Sequence, residues 1–257
     1  MPTTNNLSPK SGKILGINIA ITHKDEVLMR VKDYITHNTK FNIVTPNPEL
    51  ILMAQENKSL AKALNEATFS IPDGIGLKFA DSSLKIIKGR ELFLDLIKEA
   101  SIRKWRVFLL GGKKNESTLA SQKLKQKYKD LKIESFAGPI VNKSADPISK
   151  EDEKLNLDAV TKINSFQPHL LFVAMENPKQ ELWIYKNLSK LHISGAMTVG
   201  GTFRYVSGIS KLPPKWADSM GLEWFWRLIT EPYRLGRIIN ATIIFPIKVL
   251  QSKLIEK

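Results

Sequence analysis

Short, almost wholly apolar runs alternate with longer segments of helical periodicity along most of this chain. An antiparallel sheet with one solvated face would show polar and apolar residues in alternation, whereas strands buried on both faces read as continuous apolar runs. The clearest runs are 41–45, 106–110, 169–175 and 196–199. Helical spacing follows them at 48–57, 59–66, 116–128 and after Pro178, and 25–38 and 91–104 are also helical. The pattern predicts an α/β fold with a mainly parallel, Rossmann-like sheet flanked by helices.

The ends of the chain differ from this middle. Residues 1–13 are polar and lack the apolar run of a signal peptide, so we expect a disordered tail. A strand is predicted over 14–19, and the α/β core is expected to span 14–210. Near residue 211 the pattern breaks at Pro213-Pro214, and an aromatic and basic segment begins, which indicates a C-terminal appendage over 211–257. The alternative is that this segment packs as the last helices of the fold.

The charge balance points to an anionic partner. The formal net charge is +14, and no cysteine is present, which excludes disulfides, thiol catalysis and Cys-based zinc sites. A lysine-rich solvated surface accounts for part of the charge. No uninterrupted apolar run reaches the ~20 residues of a membrane-spanning helix, so any membrane association is expected to be peripheral.

The appendage combines aromatic and guanidinium groups. Trp224 and Trp226 lie beside Arg227, and Arg234 and Arg237 follow. Arginine binds phosphate with a rigid, always-charged fork, and tryptophan beside basic residues suits a membrane–water interface. The segment therefore predicts a phosphate-bearing substrate close to a lipid surface.

Polar residues at the predicted strand ends are the site candidates, because ligands of open parallel sheets bind there. Asp73 follows a short strand and can serve as a general base; the alternative is a turn aspartate that caps a helix. Thr45 and Asn47 can hydrogen-bond a substrate or form a Pro-rich turn with an N-cap. Gln180 and Glu181 are candidates to bind a sugar or base.

Glycines form two further strand-end turns. Gly111 and Gly112 precede a helix, where backbone amides can approach a phosphate, although such turns also carry glycine for geometry alone. Gly200 and Gly201 follow the last apolar run. No Walker loop or GxGxxG is present, and the four histidines lack metal-binding spacing, so no metal site is predicted.

Taken in order, these turns resemble the WecG/TagA/CpsF glycosyltransferases, and the likeness covers about 14–237. The motifs that carry the resemblance are Thr45-Pro46-Asn47-Pro48-Glu49, Pro72-Asp73-Gly74-Ile75-Gly76, Gly111-Gly112, Pro178-Lys179-Gln180-Glu181, Gly200-Gly201, Gly221-Leu222-Glu223-Trp224 and the later Arg227, Glu231-Pro232 and Arg234.

The resemblance implies an inverting glycosyltransferase that needs no metal or other cofactor. Such an enzyme moves a sugar, N-acetylmannosamine in the TagA branch, from a UDP donor to N-acetylglucosamine on undecaprenyl diphosphate during teichoic acid or polysaccharide synthesis. Asp73 matches the family's candidate base. Thr45, Asn47 and Gln180 match active-site positions, and Arg227, Arg234 and Arg237 match arginines that close over the diphosphate. A cytoplasmic protein on the inner face of the plasma membrane is implied, and family members also self-associate. No nucleic-acid partner is expected, because the sequence contains no RNA- or DNA-binding motif with base-stacking aromatics.

The chain departs from the family pattern at several positions. The family's Arg-Val-x-Gly is Ile86-Ile87-Lys88-Gly89 here, with Lys88 or Arg90 as substitutes for the missing arginine. Met175-Glu176-Asn177 replaces a small Gly-rich turn. Arg204 replaces an aspartate, and either suits an acidic sugar or pairs with Glu176. These changes leave the donor sugar open and keep a second hypothesis, a non-catalytic nucleotide- or polyanion-binding protein.

Overall fold

The structure of the protein is a computed structural model. It describes residues 11–113, 115–214, 226, 228–229 and 235–255. The strands are β1 Ser11–Ile14, β2 Ile17–Ala20, β3 Phe41–Val44, β4 Phe69–Ser70, β5 Val107–Gly111, β6 Ile133–Phe136, β7 Leu170–Ala174 and β8 Gly195–Thr198. The helices are α1 Lys24–Thr36, α2 Pro48–Glu56, α3 Lys58–Asn65, α4 Gly89–Arg103, α5 Glu116–Lys127, α6 Lys150–Phe166, α7 Lys179–Asn187, α8 Thr202–Val206, α9 Leu235–Ile239 and α10 Phe245–Ile255.

Six strands of the described chain form one parallel sheet in the order β4–β3–β8–β7–β5–β6. Val107 of β5 lies opposite Leu170 of β7 on one side and Ile133 of β6 on the other. Every residue of β3, β5, β7 and β8 is buried, which explains why these strands read as continuous apolar runs. The predicted parallel α/β fold is confirmed.

Helices cover both faces of the sheet. Alternate residues of β5 point to opposite faces: Phe108 joins a core with α2, α3, α6 and α7, and Leu109 joins a second core with α1, α4, α5 and α8. One close contact between neighbouring strands determines the residue type in β8. A methyl group on Gly195 would lie 2.1 Å from Cζ of Phe41, so β8 accepts only glycine opposite that ring.

The prediction of one continuous strand over 14–19 is wrong. Ser11–Ile14 and Ile17–Ala20 instead make an antiparallel hairpin, separate from the main sheet. Leu15 and Gly16 have positive φ values of 47° and 77°, as a two-residue hairpin turn requires. Residues 11–13, which we assigned to the disordered tail, therefore belong to a strand.

The described part of the C-terminal segment packs onto the core. Phe245 and Val249 are 0% and 3% exposed and join the core on the α2 face. Lys253 Nζ donates to the carbonyl oxygen of Ala80 at 2.8 Å. None of the described helices combines the length and apolarity that crossing a bilayer requires.

Candidate functional site

A cleft of about 700 Å³ lies along the carboxyl ends of the parallel strands. Its walls come from the turns after all six strands of the sheet, from the first residues of α4, α5, α7 and α8, and from one residue of α9. The sequence-predicted residues that line it are Thr45, Asn47, Asp73, Gly111, Gly112, Gln180, Gly200, Gly201 and Arg237. The fold therefore gathers residues that are up to 192 positions apart, Thr45 and Arg237 being the most distant.

Asp73 and Thr45 converge at one end of the cleft. The Asp73 amide donates to the carbonyl oxygen of Pro46 at 2.9 Å, which ties the turn after β4 to the turn after β3. A methyl group on Gly89 would lie 3.5 Å from Asp73 Oδ2 and 3.4 Å from Thr45 Oγ1. The cap of the following 3₁₀ turn, Ile75–Phe79, is Gly74 and not Asp73. Asp73 therefore lies beside Thr45 on the wall of the cleft, and its role as a general base stays a prediction.

Asn47 both caps a helix and lines the cleft. Its Oδ1 accepts from the Leu50 amide at 2.9 Å at the start of α2. Glu49, two residues on, is 7% exposed, and its carboxylate accepts from Nε of Arg237 at 2.7 and 2.8 Å. The contact of Arg237 with α2 thus brings one guanidinium of the C-terminal segment to the cleft. Arg227 and Arg234 lie outside the described residues.

Gln180 links the turns after β7 and β8. Its Oε1 accepts from the amides of Gly200 at 3.0 Å and Met175 at 3.4 Å. Its Nε2 donates to Asn177 Oδ1 at 3.1 Å and to Glu181 Oε1 at 2.8 Å. Since these bonds fill the hydrogen-bonding capacity of the amide, Gln180 shapes the cleft by holding its turns together.

Glu181 lies behind the cleft and does not line it. The side chain is 2% exposed, and burial raises its pKa to about 7, against the lowering effect of the bond from Gln180. Its Oε2 and the neighbouring Thr198 hydroxyl make no well-formed hydrogen bond among the described residues. The predicted direct contact of Glu181 with substrate does not fit this position, because Gln180 separates it from the cleft.

At the Gly111-Gly112 turn, the backbone lies very close to that of Ala174 at the end of β7. A methyl group on Gly111 would lie 2.3 Å from the Ala174 carbonyl oxygen, which accepts from the Gly112 amide at 2.7 Å. The Lys113 amide donates to Oε2 of Glu116 at 3.1 Å. The predicted phosphate-binding amides therefore already have partners, which favours the alternative that these glycines serve geometry. At the other glycine turn, a methyl group on Gly200 or Gly201 would meet no atom within 4 Å.

More charged side chains line the cleft than the sequence analysis predicted. The cations are Lys88, Arg90, Lys113, Lys179, Arg204 and Arg237, and the acids are Asp73, Glu116 and Glu176. Six cations against three acids give the lining a formal charge of +3. Both substitutes proposed for the missing family arginine, Lys88 and Arg90, are among them. The cleft is thus suited to an anionic ligand.

Two ion pairs cross the middle of the cleft. Arg204 Nε donates to Glu116 Oε1 at 3.0 Å, and Lys113 Nζ lies 2.9 Å from Glu176 Oε1. Sequence reasoning missed Glu116 and Lys113. The signal that could have identified Glu116 was an acidic residue in the first turn of the helix after Gly111-Gly112, where the sequence predicted a bound phosphate. Among the described residues, His, Asp and Glu form no group of three or more placed to hold a metal ion.

Comparisons with known proteins show which family the chain resembles. A family model described as "Glycosyl transferase WecG/TagA/CpsF family" matches residues 12–257. An N-acetylglucosaminyldiphosphoundecaprenol N-acetyl-beta-D-mannosaminyltransferase of Staphylococcus aureus strain MRSA252 is 29% identical over 247 residues, which cover 93% of this chain and 92% of the relative. Proteins of the same name from strains NCTC 8325 / PS 47 and COL match with the same identity and coverage.

Proposed function

Because this chain belongs to the WecG/TagA/CpsF family of glycosyl transferases, we propose that it transfers N-acetylmannosamine from a UDP donor to N-acetylglucosamine on undecaprenyl diphosphate, as a step in the synthesis of a cell-surface polymer. The acceptor and the sugar are those in the name of the Staphylococcus aureus relatives. The observation that carries the proposal is the cationic cleft that brings Asp73, Thr45 and Arg237 together at the carboxyl edge of the sheet.

The strand order suggests how a sugar nucleotide would lie in the cleft. Neighbouring strands are ~4.8 Å apart, so the six strand ends span about 24 Å. Asp73 follows β4 at one edge, and Gly138 to Val141 follow β6 at the other. We place the reacting sugar beside Asp73 and the nucleoside near Gly138. The diphosphate then lies between them, close to Lys113, Lys179 and Arg237.

Asp73 is the proposed general base. Its carboxylate removes the proton from the acceptor hydroxyl as that oxygen attacks the anomeric carbon on the face opposite UDP. The new glycosidic bond forms while the bond from the anomeric carbon to the diphosphate oxygen breaks, and UDP leaves with the electron pair. One displacement of this kind inverts the anomeric centre.

Positive charge on the protein is proposed to stabilise the leaving UDP. Preorganised donors aimed at developing charge are often the largest single contribution to catalysis. Lys113, Lys179 and Arg237 supply such charge from three different elements that line the cleft. Arg227 and Arg234 are proposed to add to it. On this arrangement the transfer needs no metal ion.

The enzyme is further proposed to sit on the inner face of the plasma membrane through its C-terminal helices. Apolar side chains repeat there at helical spacing on the solvent side, each between 39% and 74% exposed. They are Leu235, Ile239, Ile243, Ile247, Leu250 and Leu254, which we call the apolar stripe. Such a surface can lie in a lipid interface, where a polyprenyl-linked acceptor is found.

A turnover assay tests the proposed function. UDP release is measured with UDP-N-acetylmannosamine, with and without an N-acetylglucosaminyl-diphosphate lipid, in buffer with EDTA. We expect release that requires the lipid and persists in EDTA, and a panel of other UDP-sugars should give less. No release, or equal release without the lipid, would contradict the proposal, and loss of release in EDTA would contradict metal independence.

A further inference from the structure

Glu176 is placed at the centre of the cleft in an unfavourable backbone conformation. It follows β7 and has φ 63°, a left-handed conformation that residues other than glycine adopt at a cost. Its side chain is 56% exposed. Backbone strain of this kind concentrates at functional sites. The position of the residue in the cleft therefore calls for an explanation in terms of ligand binding.

The carboxylate of Glu176 contacts one cation of the cleft and is influenced by the charge of two more. Lys113 Nζ, from the turn after β5, lies 2.9 Å from Oε1. Burial by itself would raise the pKa of Glu176, but the hydrogen bond from Lys113 and the charges of Lys113, Lys179 and Arg237 outweigh it and lower that pKa. Glu176 is thus an ionised group surrounded by the cations proposed to bind the diphosphate.

Stability does not explain the pair. The side chain of Lys113 is 64% exposed and that of Glu176 is 56% exposed, and pairs this exposed change folding free energy little. A diphosphate presents more negative charge and more acceptor oxygens than one carboxylate, and phosphate oxygens form strong charge-assisted bonds with such cations.

We propose that the Glu176 carboxylate is an internal stand-in for the donor diphosphate, which displaces it from Lys113 when the sugar nucleotide binds. This inference rests on the proposed function, and it adds a carboxylate that competes with the donor diphosphate for Lys113. In the free protein Glu176 pairs with Lys113, and it lowers the affinity for the nucleotide by competing for that cation. Removing its charge should therefore strengthen binding.

Binding of UDP and of uridine to the full chain, measured by isothermal titration calorimetry, tests this. Glu176→Gln should lower the Kd for UDP roughly two- to five-fold, the size expected for an exposed ion pair. Uridine has no phosphate, so its Kd should not change. Lys113→Gln should weaken UDP binding. The matched control is Glu66→Gln, which removes an equally charged group from a pair of similar exposure, Lys62–Glu66, and should leave both Kd values unchanged.

The outcomes separate the two proposals. Wild-type UDP binding together with equal or weaker binding by Glu176→Gln would overturn the stand-in role and leave the proposed function intact. An equal gain for uridine, or for the Glu66→Gln control, would also overturn it, because the effect would then not depend on the diphosphate. No UDP binding by any variant would overturn the proposed donor and this inference with it.

Discussion

At the residue scale, Asp73 and Glu181 are two carboxyl groups with opposite surroundings. Asp73 is half-buried on the wall of the cleft, whereas Glu181 is enclosed behind it. A group that exchanges protons with a substrate must reach it, and a buried group can act only through its neighbours. The two positions therefore predict two different kinds of mutational effect.

Substitution of Asp73 should affect turnover and spare nucleotide binding. Asp73→Asn keeps the shape of the side chain but cannot accept the proton, so kcat should fall by ~10²–10⁴. The Kd for UDP should stay within about two-fold, because Asp73 is proposed to act on the acceptor hydroxyl and not to bind the nucleotide. Steady-state kinetics and calorimetry measure the two quantities. Asp130→Asn, on an exposed turn, is the control, and normal turnover by Asp73→Asn would remove Asp73 from the mechanism.

Substitution of Glu181 should change how stability depends on pH. Its pKa is about 7 in the folded chain and about 4.5 when unfolded, so the unfolded state releases the proton first as pH rises. The free energy of unfolding should thus fall between about pH 4.5 and 7, by at most roughly 3 kcal/mol from this group. Glu181→Gln should remove that fall and be more stable than the wild type at pH 8. Urea unfolding at pH 5 and pH 8 measures this, and parallel pH profiles would contradict it.

Sequence could predict the site only as separate residues. Asp73, Thr45 and Asn47 stand out because they follow strands, and the common edge of a parallel sheet brings such turns together. The roles of Gln180 and Glu181 could not be told apart, since burial behind a turn depends on the packing of β7 against β8. Glu176 was visible as a departure from the family pattern, but its pairing with Lys113 depends on which strands are neighbours.

At the scale of elements, continuous apolar strands were predictable and short or mixed ones were not. β5 and β7 each consist of five buried residues, so each strand is visible in the sequence as a continuous apolar run, whichever strands are its neighbours. β6 was not predicted, because Ile133–Phe136 is short and its burial is partial. The hairpin of β1 and β2 was predicted as one strand over 14–19, because the Leu15-Gly16 turn lies inside that mostly apolar run and contains no proline or aspartate.

The apolar stripe, which runs from α9 through the π-helical turn Asn240–Ile244 into α10, should bind membranes. Ile243→Ser with Ile247→Ser removes two side chains that are 52% and 47% exposed, so the fold should persist. Each loss should weaken interfacial binding by about 1 kcal/mol, and the pair by roughly thirty-fold. Co-sedimentation with vesicles of phosphatidylglycerol and phosphatidylcholine measures it. Leu157→Ser, at a position of α6 that is 66% exposed, should have no effect; an unchanged double variant would exclude this surface.

At the scale of the whole molecule, the C-terminal segment and the α/β core share one apolar interior. Phe245 and Val249 belong to the same buried cluster as Leu50 and Leu77. The separate appendage predicted from residue 211 stays a proposal, but the packing of α10 indicates that the core does not end at residue 210. A truncation near residue 212 would expose core surface as well as remove arginines, so point substitutions give clearer tests.

Phe245→Ala should destabilise the entire fold. The ring is fully buried, and losses of this kind cost ~3–5 kcal/mol. Because the ring packs in the common core, we expect one urea transition at a lower midpoint, seen equally by circular dichroism and by tryptophan fluorescence. A second, separate transition with the main midpoint unchanged would show that the segment folds independently. Leu254→Ala, at a position 74% exposed, is the control.

The strand order also limits how copies of this chain can associate. At one side the sheet ends in β4, which is two residues long, and β2 packs near it. At the other side it ends in β6, where Glu134 is exposed and Lys132 immediately precedes the strand. Short and charged borders of this kind resist backbone pairing with another chain. We therefore expect self-association, where it occurs, to join other surfaces of the described fold rather than to extend this six-stranded sheet from one copy into the next.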